Sequence, residues 1–169
     1  MTRTPFVLAL TFATLLGACA MPGPQSFAKG SPAALVMQAM GTPTGEHRSA
    51  AGGRRLEYAT GSFTRRTYMF DFDASDRLVN AEQVLTESNF NAIRAGMTRD
   101  DVLSRIGRPA TTWPIAYQRQ IVWSYRYESP FCQWFMVGMG QEGKVVDTAY
   151  GPDPLCEPDD FFTRLRSRR

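Results

Sequence analysis

From residue 30 onward the apolar positions change period in a fixed order, and the order occurs twice. Val36, Met37 and Met40 recur at helical spacing, and Val102, Leu103 and Ile106 do the same 66 positions later. Each run ends in glycine and then proline, at Gly41 and Pro43 and again at Gly107 and Pro109. Glycine supplies the left-handed residue that stops a helix, and proline prevents continuation. The starts are marked as well. Ser31 and Pro32 suit a cap and a first turn over Ala33–Met40, while Thr98 with Asp101 three residues on has the form of a capping box. A further short helix is predicted over Asn89–Arg94, capped by Ser88 and ended by Gly96.

After each helix the period becomes two. Leu56-Glu57-Tyr58 opens a strand, and Thr67–Asp73 places Tyr68, Phe70 and Phe72 on one face against Asp71 and Asp73 on the other. Arg77–Leu85 returns after the turn Ala74-Ser75-Asp76. In the second half Gln120–Tyr127 sets Trp123, Tyr125 and Tyr127 on one face, Cys132–Gly138 is apolar on both faces, and Lys144–Asp147 returns. A strand apolar on both faces belongs in the middle of a sheet or under another layer. The strands match at an offset of 67, so that Leu56-Glu57-Tyr58 aligns with Trp123-Ser124-Tyr125. Thr42–Arg55 and Arg108–Arg119 read as loops. The predicted fold is α+β: two tandem repeats, each one or two short helices packed on a three-stranded antiparallel β-meander. The repeats occupy 30–86 and 87–151.

The first 18 residues read as an export signal. Arg3 is a short positive region, and Pro5–Leu16 is an apolar run too short to span a bilayer. It closes in Leu16-Gly17-Ala18-Cys19, which resembles a bacterial lipobox and implies a lipidated Cys19, acylated with palmitate or a similar chain. Two or three chains on one residue hold a protein on a membrane where a single chain does so only marginally. Ala20 after that cysteine, by analogy with lipoprotein sorting, implies the periplasmic face of the outer membrane. Residues 19–29 then form the lipidated cysteine and a flexible tether, and 152–169 form an Arg-rich tail.

Removing 18 of the 169 residues leaves 151, with 18 basic against 16 acidic groups. That balance is too even to argue for nucleic acid. Cys132 and Cys156 remain as an even pair in an oxidising compartment and are predicted to form a disulfide that ties the tail back. Nothing in the sequence composes a catalytic or metal site. His47 is the single histidine and sits in a Gly-rich stretch, where it reads as a solvated loop residue. Asp71, Asp73 and Asp76 lack the spacing, glycine and glutamate of a calcium loop and read as turn and surface residues. No cofactor, metal or small-molecule substrate is expected. Trp123, Tyr125 and Tyr127 alternate and read as core. Trp113, beside Pro114 in a loop, and Trp134 are the candidate partner contacts, because aromatic side chains anchor interfaces.

The pattern Gly96-Met97-Thr98, Val102-Leu103, Ile106-Gly107-Arg108-Pro109, then Trp123-Ser124-Tyr125 and Gly143-Lys144-Val145, resembles the BamE (SmpA/OmlA) family of outer-membrane lipoproteins. Residues Ser88–Asp147 carry the likeness, and Gly30–Val84 carry it more weakly as a second copy. The resemblance implies a non-enzymatic scaffold or interaction module of the cell envelope, an accessory of outer-membrane β-barrel assembly. Typical members have one unit where this chain has two. Tandem units of similar form occur in the secreted β-lactamase inhibitor protein, which implies the alternative of a periplasmic binding or inhibitory module.

Overall fold

The computed structural model describes residues 22–60 and 65–156. The stretch read as a signal peptide, Cys19 and residues 157–169 of the tail lie outside them. The described chain is mostly β: α1 (Ala33–Met40), β1 (Gly45–Arg48), β2 (Gly52–Ala59), β3 (Thr67–Asp73) and β4 (Leu78–Gln83), then α2 (Glu87–Phe90), α3 (Arg99–Ile106), β5 (Thr111–Ile115), β6 (Gln120–Arg126), β7 (Gln133–Gly140) and β8 (Val145–Pro152). The strands make two four-stranded antiparallel meanders, β1-β2-β3-β4 and β5-β6-β7-β8.

This corrects the expected units of helices on a three-stranded meander. Each sheet has a fourth strand at its leading edge, in a stretch that reads as loop. β1 is Gly-Glu-His-Arg, with no apolar residue to alternate, and it is held by its register on β2 from Gly45↔Glu57 to Arg48↔Arg54. β5 contains Pro114, which cannot donate to a ladder and is tolerated at an edge. Both strands are made by backbone pairing to an already formed neighbour, so side-chain periodicity does not announce them. Two helix starts also differ. Pro32, not Ser31, is the N-cap of α1 and makes no side-chain cap. α2 starts earlier than the Ser88 cap implies, because Thr86 Oγ1 accepts from the Asn89 amide at 3.3 Å. The cap of α3 is as the sequence reads: Thr98 Oγ1 accepts from the Asp101 amide at 3.2 Å, and Asp101 Oδ2 accepts from the Thr98 amide at 2.8 Å.

The two halves share hydrogen bonds position by position. Gly41 and Gly107, at φ 82° and 76°, donate their amides to Met37 and Leu103. The amide of Gly30 donates to Leu78 and that of Gly96 to Val145. The Tyr58 hydroxyl donates to the Gly41 carbonyl at 3.2 Å, and the Tyr125 hydroxyl donates to the Gly107 carbonyl at 3.1 Å. Equivalent bulges interrupt the third and fourth strands, at Asp71/Phe72 and at Gly138/Met139.

The core follows from strand alternation. Leu56, Tyr58, Phe70, Phe72 and Leu78 meet Ala33 and Val36 of α1 on one face of the first sheet. Met69 points from the opposite face of β3 and belongs to the second core, with Phe90, Val102, Ile106, Tyr125, Phe135, Val137 and Met139. α3 therefore lies between the sheets, packing its apolar stripe on the second and its flank on the first. Trp123, Tyr125 and Tyr127 are all buried in this second core. Apolar burial of this kind contributes roughly 1.5–3 kcal/mol for each large side chain.

Candidate functional site

The two candidate contact residues are brought together on the outer face of the second sheet. β5 sets Trp113 opposite Val122, and β7 sets Trp134 opposite Arg126. Ser124 stands between Val122 and Arg126 on that face of β6, and the two indole rings close over it. Their centroids are 5.1 Å apart and their planes 29° from parallel. Ser124 is fully buried beneath, and its Oγ has no hydrogen-bond partner among the described residues. Trp134 is itself buried, at 8% exposure, so Trp113 is the more open member of the pair.

The pair continues into a charged, cross-linked corner. The Arg126 guanidinium lies 5.4 Å from the Trp134 ring and donates from Nε to Asp153 Oδ2 at 2.7 Å. Both residues of that ion pair are buried. Taking two charges out of water is tolerated when the geometry is good and further donors are present. Here the Leu155 amide adds a bond to Asp153 Oδ1 at 3.0 Å. The Asp153 amide donates to the Cys132 carbonyl, and Cys132 and Cys156 form the expected disulfide, with Cα atoms 6.2 Å apart.

Exposed apolar groups gather elsewhere on the same unit. Tyr117 is 85% exposed in the turn after β5, and Phe131 is 76% exposed in the loop before β7. Ile121, Val146, Tyr150 and Leu155 are also exposed, whereas the first unit contributes Leu35 among the described residues. Sequence reading missed Tyr117 and Phe131 because each is a single apolar residue in a turn or loop, outside any period.

A second polar centre lies at the junction of the units. Glu57 is fully buried on the face of β2 that looks away from α1. Its Oε1 accepts from the Arg108 amide at 3.0 Å, just past the end of α3, and its Oε2 is 3.0 Å from His47 Nε2. Thr44 Oγ1 stands 3.5 Å from Oε1. His47 is thus part of β1 and paired with a buried carboxylate, which corrects its reading as a solvated loop residue. Burial pushes the nearby Tyr125 phenol well above its ordinary range, and the charge of Glu57 adds to the effect. The arrangement joins two elements; among the described residues no Ser, Thr or Cys side chain hydrogen-bonds His47.

The three aspartates are each engaged by the protein. Asp71 and Asp76 receive Arg55 and Arg54, and Asp73 Oδ1 accepts from the amides of Ser75 and Arg77. Asp73 and Asp76 organise the turn as expected, but Asp71 is buried, with Oδ1 unpartnered among the described residues, which corrects its reading as a surface residue.

No family model matches the chain, and no curated protein does. Among solved structures the chain is similar to an extracellular protein containing a SCP domain from Bacillus anthracis str. Ames, at 10% identity and a TM-score of 0.32. The match covers 90% of this chain and 50% of that one, so the chain spans half the length of that protein. A likeness this weak carries no argument about fold or activity.

Proposed function

We propose that the chain is a lipid-anchored, non-enzymatic interaction module of the cell envelope, working through its second unit as an accessory of outer-membrane β-barrel assembly. The observation that carries the reading is the concentration of exposed apolar side chains on that unit, Tyr117 and Phe131 foremost. Side chains of this size left in water cost free energy that a partner surface recovers, and aromatic residues are the usual anchors of such surfaces. The lipobox at Leu16–Cys19 supports an envelope address, and the helix motif shared with the BamE family supports the assembly role.

The test is photo-crosslinking in living cells with a reactive residue at Phe131 or Tyr117, followed by identification of the captured protein. Recovery of a barrel-assembly component is expected, with no capture from a reactive residue at Leu35. Failure to recover any such component from either position removes the assembly role. Palmitate labelling of the wild type against Cys19→Ala checks the anchor, and a wild type without label overturns it.

A second reading, a periplasmic inhibitory module, is favoured by the stacked Trp113–Trp134 pair on a sheet face. It requires a periplasmic enzyme whose inhibition is lost in Trp113→Ala.

A further inference from the structure

We propose that the Cys132–Cys156 bond is a redox latch: its reduction by a dithiol releases residues 153–156 from the second sheet and withdraws the Asp153 carboxylate from Arg126, which lies over Trp134. The bond is not what completes the sheet. The β7–β8 ladder runs from Met139↔Val145 to Gln133↔Pro152 and ends one residue before Asp153. The first sheet builds the same four-stranded meander with no cysteine in residues 22–86, and its matching pair is Ala59↔Thr67 where the second sheet has Arg126↔Trp134. The disulfide therefore serves the corner beyond the ladder.

Within residues 152–156 Asp153 alone is buried, at 3% exposure, while Pro152, Pro154, Leu155 and Cys156 are exposed. Asp153 is held by a small set of bonds. Its amide donates to the Cys132 carbonyl at 3.0 Å, and its carboxylate accepts from Arg126 Nε at 2.7 Å and from the Leu155 amide at 3.0 Å. The Cys156 amide closes the turn onto the Asp153 carbonyl at 2.9 Å. A buried ion pair gives up the hydration of both charges and holds only while its geometry is kept. The covalent bond keeps the carboxylate at high local concentration beside Arg126. Once the bond opens, the segment carries Asp153 into water and the guanidinium loses that carboxylate.

The bond is also placed for exchange. Cys156 is exposed and Cys132 half-buried, and exposed disulfides are the ones open to thiol attack. Cys132 has φ 45°, a left-handed conformation disfavoured for a residue with a Cβ, and the open bond lets it relax. The chemistry balances on a dithiol. One thiolate of the reagent attacks Cys156 Sγ, and the Cys132 sulfur leaves as a thiolate. The second thiol of the reagent then displaces Cys156 from the mixed disulfide. Two electrons pass to the cysteine pair, the two protons of the dithiol end on the two cysteine sulfurs, and the dithiol is oxidised to its own disulfide. By linkage, whatever the bond does for the Arg126–Asp153 pair, the pair does for the bond. The proposal does not rest on the assembly reading above, and its failure leaves that reading as it stands.

The experiment follows the full chain by nuclear magnetic resonance as dithiothreitol is added without denaturant. On reduction the amide resonances of Asp153, Leu155 and Cys156 should move to unfolded-chain positions, and the Arg126 Nε–H signal should shift with them. The cross-strand contacts of β7 with β8 should remain. Cys132→Ser with Cys156→Ser should reproduce that spectrum with no reductant present. Asp153→Asn should move the equilibrium with dithiothreitol about tenfold toward the thiols, the loss of one charge-assisted hydrogen bond. Asp76→Asn, on an exposed turn of the first sheet, should leave that equilibrium where it is. Resonances that stay in place after reduction make the bond a passive cross-link and overturn the proposal. So does loss of the β7–β8 contacts, which makes reduction an unfolding, and so does a bond that excess dithiothreitol leaves intact.

Discussion

Glu57 and Ser124 stand at equivalent positions, each opposite a methionine of the next strand, Met69 in one sheet and Met136 in the other. Both are fully buried, yet they are buried by different things. Glu57 is covered by the end of α3 and satisfied by the Arg108 amide and His47; Ser124 lies under two tryptophans with its hydroxyl unpartnered among the described residues. The alignment of the two residues is legible in the sequence, but their surroundings are not, because burial on that face depends on what the rest of the chain lays across it. The charge of Glu57 reaches Tyr125, whose phenol is raised well above its ordinary pKa of 10.0, first by burial and then by that carboxylate. A raised phenol favours the neutral form in the folded state. Its contribution is complete below about pH 10 and is lost as pH rises beyond it, because the unfolded chain then releases a proton that the folded chain retains. Urea midpoints should therefore fall steeply on the alkaline side. Tyr125→Phe should be less stable at neutral pH by about 1 kcal/mol, the hydrogen bond to Gly107, and should show a shallower alkaline loss. Some slope should remain, since Tyr58 and Tyr150 are also raised by burial. An unchanged slope in the variant would show that Tyr125 does not carry it.

At the scale of elements, α3 was the most legible part of the chain, whereas the N-caps of α1 and α2 and the end of α2 differ from the sequence reading. Caps act through bonds to residues three or four positions away, so the sequence contains both partners: Thr98 with Asp101, Gly107 with Leu103. Edge strands were the least legible, since β1 is Gly-Glu-His-Arg with no apolar residue and β5 is five residues broken by Pro114, so each is defined by its pairing with the next strand. The paired helix ends give a controlled comparison. Gly41 and Gly107 share a positive φ with an extended ψ, outside the left-handed helical region expected of them, and either is strained by alanine to the extent of about 1–3 kcal/mol. A Cβ at Gly41 meets nothing within 4 Å, whereas one at Gly107 lies 2.9 Å from Thr67 Cγ2 and 3.1 Å from the Glu57 carboxylate. Gly107→Ala should thus cost a further 1–3 kcal/mol or so from overpacking, read as a lower melting temperature than that of Gly41→Ala. Equal losses would mean that the joint between the units has room to give.

For the molecule as a whole, the repeated offset pointed to two units of three strands where the structure has two four-stranded sheets, and the way the two halves meet was not visible. Met69 reads as an alternate residue on an amphipathic strand; only the structure shows it entering the second core. The disulfide belongs to this scale, since it fastens the start of β7 to the chain beyond β8 across a separation of 24 residues. Closing a loop of about that length contributes roughly 3 kcal/mol in the chain-entropy model. Reduction, or Cys132→Ser with Cys156→Ser, should lower stability by that order in denaturant titrations. A much smaller loss would indicate that β7–β8 pairing already restricts the unfolded loop.

The unequal cover of two matching sheet faces bears on which residues each can accept. Two sheets of matching order in one chain have different neighbours however alike their sequences are. One face receives the end of α3 at Arg108; the other, among the described residues, lies under Trp113 and Trp134. A carboxylate at 57 is met there by the Arg108 amide, while the same carboxylate at 124 would sit beneath indole rings with no such amide. A residue that suits one face is an error on the other, so an exchange of Glu57 and Ser124 between the sheets would leave the carboxylate buried without its partner.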